Sequence, residues 1–91
     1  MVLVQVFAYF QEALGKKDID IEAGNIYELI DNLTRENEKF SGLLFESHES
    51  YIIRSDVIIL VNGRNIEGLS GLKTALKKND VVSIFPPICG G

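Results

Sequence analysis

Val81-Val82-Ser83-Ile84-Phe85-Pro86-Pro87-Ile88-Cys89-Gly90-Gly91 is an apolar strand that runs into two prolines and then into a diglycine. Residues 81–85 carry the β-branched and aromatic side chains that suit a strand, and the prolines, which cannot donate to a sheet and hold φ near −65°, end it. Beyond them the chain is expected to follow an extended, semi-rigid course. Two glycines bury nothing and lose the most backbone entropy on ordering, so a chain closing on them is expected to use that end. With Gly91 read as the terminus, the segment from Phe85 reaches about 20 Å at ~3.3 Å per residue. A narrow channel in another protein would admit the bare backbone and receive the Gly91 carboxylate. Gly91 is therefore the candidate reacting group, and Pro86, Pro87, Ile88, Cys89 and Gly90 the candidate threading segment. The division is a folded domain over 1–85 and a flexible tail over 86–91. A frayed terminus would leave the paired prolines unexplained.

Upstream, residues 2–10 read as a strand with Val4, Val6, Ala8 and Phe10 on one face and Leu3, Gln5, Phe7 and Tyr9 on the other. Residues 11–15 read as a turn, and residues 17–22 alternate apolar and acidic positions, as the return strand of a hairpin does. Asn25 is placed to cap a helix with Glu28 as its reciprocal partner, and Ile26, Leu29, Ile30 and Leu33 form one apolar stripe. That helix is expected to end near Asn37. Residues 40–56 read as an irregular link, with a short strand over 51–53. His48, the single histidine, reads as a surface loop residue because no second ligand motif accompanies it.

Residues 57–61 have no polar position and read as a central strand buried on both faces. Asn62-Gly63 supplies a tight turn, after which residues 64–66 pair back. Gly68 and Gly71 match no phosphate-binding fingerprint, so this stretch reads as a connection. Residues 74–76 are expected to form a short helical turn and 77–80 a solvated turn. The sum is an α+β fold: a mixed sheet of four to five strands, one main helix packed on one face, the last strand beside the first. Phe7, Tyr9 and Phe85 are then expected on the uncovered face, at the root of the tail, as a partner-binding patch.

Ninety-one residues make one small domain, and the net charge of −4 opposes binding to a phosphate backbone, so no direct nucleic-acid partner is expected. The longest apolar run is far too short to span a bilayer and no signal-like segment opens the chain, so the expected location is the cytoplasm. A single cysteine excludes an internal disulfide framework, and no metal site is expected.

The chain resembles the ubiquitin-like sulfur carriers of the β-grasp fold, most closely the small subunit of molybdopterin synthase. The resemblance lies in residues 4–15, in the strand closing on Val61-Asn62-Gly63, and in Asn79-Asp80-Val81-Val82 leading to Phe85-Pro86-Pro87. Its most specific part is the closing Phe-Pro-Pro-x-x-Gly-Gly. Residues 38–56 and 67–73 are longer or more divergent than in the shortest members. The resemblance implies that a ubiquitin-activating-type adenylyltransferase uses ATP to convert the Gly91 carboxylate to an acyl-adenylate, and that a persulfide donor turns it into a thiocarboxylate. It further implies insertion of the tail into the synthase large subunit, where Gly91 delivers sulfur to a pterin precursor for molybdenum or tungsten cofactor synthesis. The chain would be a sulfur-carrying subunit, not catalytic alone, with no cofactor of its own. Cys89 departs from the small or hydroxyl-bearing residue often found before the diglycine and reads as occupying a tolerant position. Conjugation to a lysine as a protein modifier, or sulfur supply for tRNA thiolation, uses the same tail and stays open beside this reading. A thiazole-synthesis carrier fits less well, since such chains are usually shorter and lack the Pro-Pro exit. A non-reactive binding module would not need the diglycine at all.

Overall fold

The computed structural model describes residues 1–46 and 52–87. Five strands, β1 (Val2–Val6), β2 (Asp18–Ile21), β3 (Ile58–Val61), β4 (Arg64–Asn65) and β5 (Val81–Phe85), form one sheet in the order β2-β1-β5-β3-β4. β1 and β5 run parallel in the middle of it, and the other pairs are antiparallel. Three helices, α1 (Tyr9–Leu14), α2 (Ile26–Arg35) and α3 (Glu38–Leu44), supply the second layer. The expected α+β sheet with the last strand beside the first is what forms.

Register explains which side chains go inward. Val4 lies opposite Val82 and Val82 opposite Val61, while Val6, Ile84 and Ile59 make the next row. Every one of these is buried, as are Ile26, Leu29, Ile30 and Leu33 of α2. The apolar stripe of α2 therefore meets the inner face of the sheet, and the predicted cap holds it there. The Glu28 amide donates to Asn25 Oδ1 at 2.8 Å, and Glu28 Oε1 accepts from the Gly24 amide at 3.0 Å, one residue earlier than a standard capping box.

Several expectations are overturned. The first strand stops at Val6, because Ala8 turns to φ 53, ψ −134 and the chain enters α1. Phe10, Ala13 and Leu14 are spaced i, i+3, i+4, a helical pattern masked by the two-residue alternation that precedes it. α1 ends on Gly15, whose φ of 73° is the left-handed cap that glycine takes without penalty. The stretch read as an irregular link contains α3, which buries Phe40 and Leu44. Its predecessor Asn37 makes no side-chain cap for α3. Instead its Nδ2 donates to the Leu33 carbonyl at 2.9 Å and closes the end of α2, which stops at Arg35. In the region read as strand 51–53, the described part holds only an isolated bridge between Phe45 and Ile53.

β3 lies between β5 and β4 and is not buried on both faces, since Ile58 is 45% exposed. Residues 74–76 are not helical. Ala75 bridges Asn25, the Ile26 amide donates to the Thr74 carbonyl, and Leu76 donates to Gly24. The tight turns fall just before, at Ile66–Gly68 and Gly71–Lys73.

The Asn62-Gly63 hairpin forms as predicted, with φ of 50° and 85°, the pair of positive angles that a type I′ turn requires. Asn62 does more than turn the chain. Its Oδ1 accepts from the Val81 amide at 2.9 Å and its Nδ2 donates to Asp80 Oδ1 at 3.0 Å, while Asp80 Oδ2 accepts from the Lys77 amide at 2.8 Å. These bonds fasten the β3–β4 turn to the entry of β5. The Lys77 amide first, then the Asn62 side chain, hold the Asp80 carboxyl below its usual range. Stability from Asp80 is thus present above the unfolded value of ~3.9 and is lost as pH falls through the lower folded value. Asn62→Ala loses both side-chain bonds and places a Cβ-bearing residue without local polar support at positive φ. Urea unfolding at pH 7 is expected to show a loss of about 1–2 kcal/mol, with the Asp80 carboxyl, followed by NMR, titrating closer to its ordinary value.

Candidate functional site

The alternation that sends Val4, Val6, Val82 and Ile84 inward sends Leu3, Gln5, Phe7, Val81, Ser83 and Phe85 outward. Phe7 and Phe85 stack at the C-terminal ends of the two parallel central strands, with ring centroids 4.3 Å apart and planes 6° from parallel. Ile58 pairs with Phe85 on the neighbouring strand, and Leu60 pairs with Ser83 one step along. Phe7, Phe85 and Ile58 therefore form one apolar row across the outer face, where no described helix covers them. Phe7 and Phe85 are half-buried and Ile58 is exposed.

The row ends at the root of the tail. Pro86 directly follows Phe85 and is buried, and Pro87 is half-buried, so the exit of the chain is seated on the domain rather than hanging from it. Pro86 cannot extend the ladder of β5, and the sheet stops there. Ile88, Cys89, Gly90 and Gly91 lie outside the described residues, as does His48.

Tyr9 is the correction among the patch residues. The left-handed turn at Ala8 takes Tyr9 off the strand and into the first turn of α1, where its ring meets Phe10 edge-on at 5.3 Å rather than joining Phe7 and Phe85. Ile58 is the residue that sequence reading missed. A signal was present: an uninterrupted apolar run leaves its outward positions apolar too, and doubly buried is only one explanation of that.

Among the described residues there is no group of three or more His, Cys, Asp or Glu side chains able to hold a metal. No described helix is long and apolar enough to cross a membrane. The described surface thus offers an apolar platform beside a proline-fixed exit. Such a surface can position a terminus for another protein.

Known proteins agree with this architecture. The chain is 36% identical to small archaeal modifier protein 3 of Haloferax volcanii over 92 aligned positions, covering 97% of this chain and 96% of that one. The solution structure of small archaeal modifier protein 1 from Methanosarcina acetivorans superposes with a TM-score of 0.88 at 33% identity, covering 99% and 95% of the two chains. A putative molybdopterin converting factor, subunit 1, from Pyrococcus furiosus superposes with a TM-score of 0.69 at 31% identity, covering 96% and 97%. The sequence profile of the ThiS family matches residues 4–91, a span that includes all but the first two residues of β1, the other strands, the Phe85 platform and the diglycine. The chain belongs to the ThiS family of ubiquitin-like sulfur carriers and has their β-grasp fold.

Proposed function

We propose that this protein works through its diglycine as a ubiquitin-like modifier and sulfur carrier, activated at the Gly91 carboxylate. The observation that carries the reading is the Phe7–Phe85–Ile58 platform lying at the root of a proline-fixed exit. A carboxylate is a poor electrophile. A ubiquitin-activating-type adenylyltransferase makes it reactive when a Gly91 oxygen attacks the α-phosphorus of ATP and displaces pyrophosphate. The resulting acyl-adenylate has two fates. A lysine amine on a target protein attacks the acyl carbon, loses a proton and forms an isopeptide bond, with AMP leaving. Alternatively a persulfide attacks, AMP leaves, and a second thiol reduces the acyl disulfide to give the thiocarboxylate and a disulfide. Sulfur then passes to a tRNA nucleoside or to another acceptor. This chain's own residues dock and present: the platform binds the partner, Pro86 and Pro87 direct the exit, and Gly90 and Gly91 fit a channel that a side chain would block.

The relatives named modifier proteins support conjugation, at 36% and 33% identity. The Pyrococcus furiosus relative, together with Phe85-Pro86-Pro87, supports a second reading, delivery of sulfur to a pterin precursor as the small subunit of molybdopterin synthase. Intact-mass measurement separates the two. The protein is incubated with ATP, the adenylyltransferase and a sulfur donor, then offered either lysine-bearing protein or the synthase large subunit with pterin precursor. Lysine adducts carrying the Gly91 carbonyl support the modifier reading. Exchange of one oxygen for sulfur, reversed only as pterin turns over, would replace it with the synthase reading. No mass change under any condition would remove both.

The platform makes a separate prediction. Phe85→Ala is expected to weaken association with the activating enzyme by about 2 kcal/mol, the size of an interface anchor. In the free domain it removes about 1 kcal/mol of ring stacking together with the burial of a half-covered ring. Calorimetric titration alongside thermal melts checks the difference, and equal binding by the variant would remove the platform from the interface.

A further inference from the structure

A second surface lies at the β2 edge of the sheet, where Asp18 on the outer face neighbours Phe7 and the inner face opens beside α2. β2 is an edge strand, bonded to β1 alone. The Val6 amide donates to the Lys17 carbonyl at 2.9 Å, and an antiparallel ladder alternates from there, so Lys17, Ile19 and Ile21 turn their main-chain groups toward β1. Asp18 and Asp20 turn theirs outward. The next outward carbonyl, that of Glu22, already accepts from Asn32 Nδ2 at 3.4 Å. Along this edge runs a groove of about 440 Å³ between β2 and the C-terminal half of α2, lined by the apolar Leu14, Ile19, Ile21 and Leu33 and by polar side chains that include Lys16, Arg35 and Glu36. On the other side of the strand the Asp18 and Asp20 side chains are exposed, beside Gln5 and Leu3.

From this geometry we infer that β2 and its groove form a docking site for an extended segment of another protein, apolar and basic at alternate positions. Such a segment adds as a strand to the edge, bonding to the main chain of Asp18 and Asp20. Its alternate side chains then divide: one set enters the groove over Ile19, Ile21 and Leu33, and the other lies across from the two carboxylates. Lysine or arginine at the second set is attracted, and acidic residues there are repelled. A second copy of this chain is a poor occupant, because pairing two β2 edges through Asp18 and Asp20 sets acidic side chains against each other. The inference goes beyond the activated tail, since the site works on a chain whose Gly91 is unreactive.

The test uses the full chain, isotopically labelled, titrated by NMR with a short peptide alternating lysine with valine and isoleucine. A second peptide carries glutamate in place of each lysine. The lysine peptide is expected to shift the amides of Asp18 and Asp20, slow their hydrogen exchange and move the Ile21 and Leu33 methyls. The glutamate peptide is expected to bind about tenfold more weakly. The double substitution Asp18→Lys, Asp20→Lys is expected to reverse that order, with a thermal melt showing that it folds. If it does not fold, the two peptides on the wild-type chain decide alone. Equal affinity for the two peptides, or shifts confined to Phe7, Ile58 and Phe85, would overturn the site. So would concentration-dependent broadening of the β2 amides without peptide, which would make a second copy the occupant.

Discussion

Deletion of Gly91 is expected to abolish ATP-dependent activation and every product that follows, with the melting temperature of the domain unchanged. The two effects separate because the core lies within residues 2–84, while the reacting carbonyl of the proposed chemistry belongs to the final residue. The shortened chain still ends in a carboxylate, on Gly90, but that group is displaced by about 3.3–3.6 Å, one extended residue. Misplacement by as little as ~1 Å can cost about 100-fold in rate, and a full residue's retreat from a channel built for the whole tail removes the reaction. Pyrophosphate release, followed beside intact mass, measures the loss. Activation of the shortened chain at the full rate would show that Gly91 is not the reacting residue, whereas undiminished partner binding with no activation of either chain would make the protein a binding module and remove the activated-tail reading, whichever acceptor it serves.

Phe10→Ala is expected to be the most damaging single truncation in the folded domain, lowering stability by about 3–5 kcal/mol. Domains of this kind have only ~5–15 kcal/mol in total. Phe10 is fully buried and meets Phe40 edge-on, with centroids 5.1 Å apart and planes at 77°. That contact joins α1 to α3. Losing the ring leaves a cavity between two short helices that have few other means of holding together, since neither has a side-chain cap at its N-terminus. A double-mutant cycle with Phe40→Ala is expected to show a coupling of about 0.5–1.5 kcal/mol in urea unfolding. Tyr9→Ala, by contrast, truncates a residue 38% exposed and is expected to have a much smaller effect. Similar losses at positions 9 and 10 would contradict the burial of Phe10 beside an exposed Tyr9 in the first turn of α1.

The elements legible in the sequence are those whose signals are local and agree with each other. α2 carries a capping pair and a four-residue apolar stripe, and both are found in place. Asn62-Gly63 demands positive φ and turns the chain as read. β2 alternates from exposed to half-buried along its length. The misread elements are those in which two periods fit the same residues. Residues 2–10 satisfy an alternation of two, yet Phe10, Ala13 and Leu14 also satisfy a helix, and only the burial of Phe10 against Phe40 decides between them. α3 contains Ser41 and Gly42, which weaken a helix in isolation, and is held by burying Phe40 and Leu44. A continuous apolar run at Ile58–Val61 is equally consistent with a covered strand and with one whose outer face forms a docking row.

By itself the sequence determined the α+β class, the pairing of the last strand with the first, the capped helix and the proline exit toward a diglycine. The capped helix and the proline exit rest on neighbours within a few residues and on the stiffness of proline, and the class and the strand pairing on the general rules by which such elements connect. Only the tertiary structure decided that Phe7 stacks on Phe85 and Ile58 lines up beside them, while Tyr9 departs. Register across three strands sets that row, and register is a relation between residues distant in sequence, Phe7 with Phe85 and Phe85 with Ile58. The same holds for the outward edge of β2, where the free main-chain groups of Asp18 and Asp20 follow from which strand lies beside it and which does not.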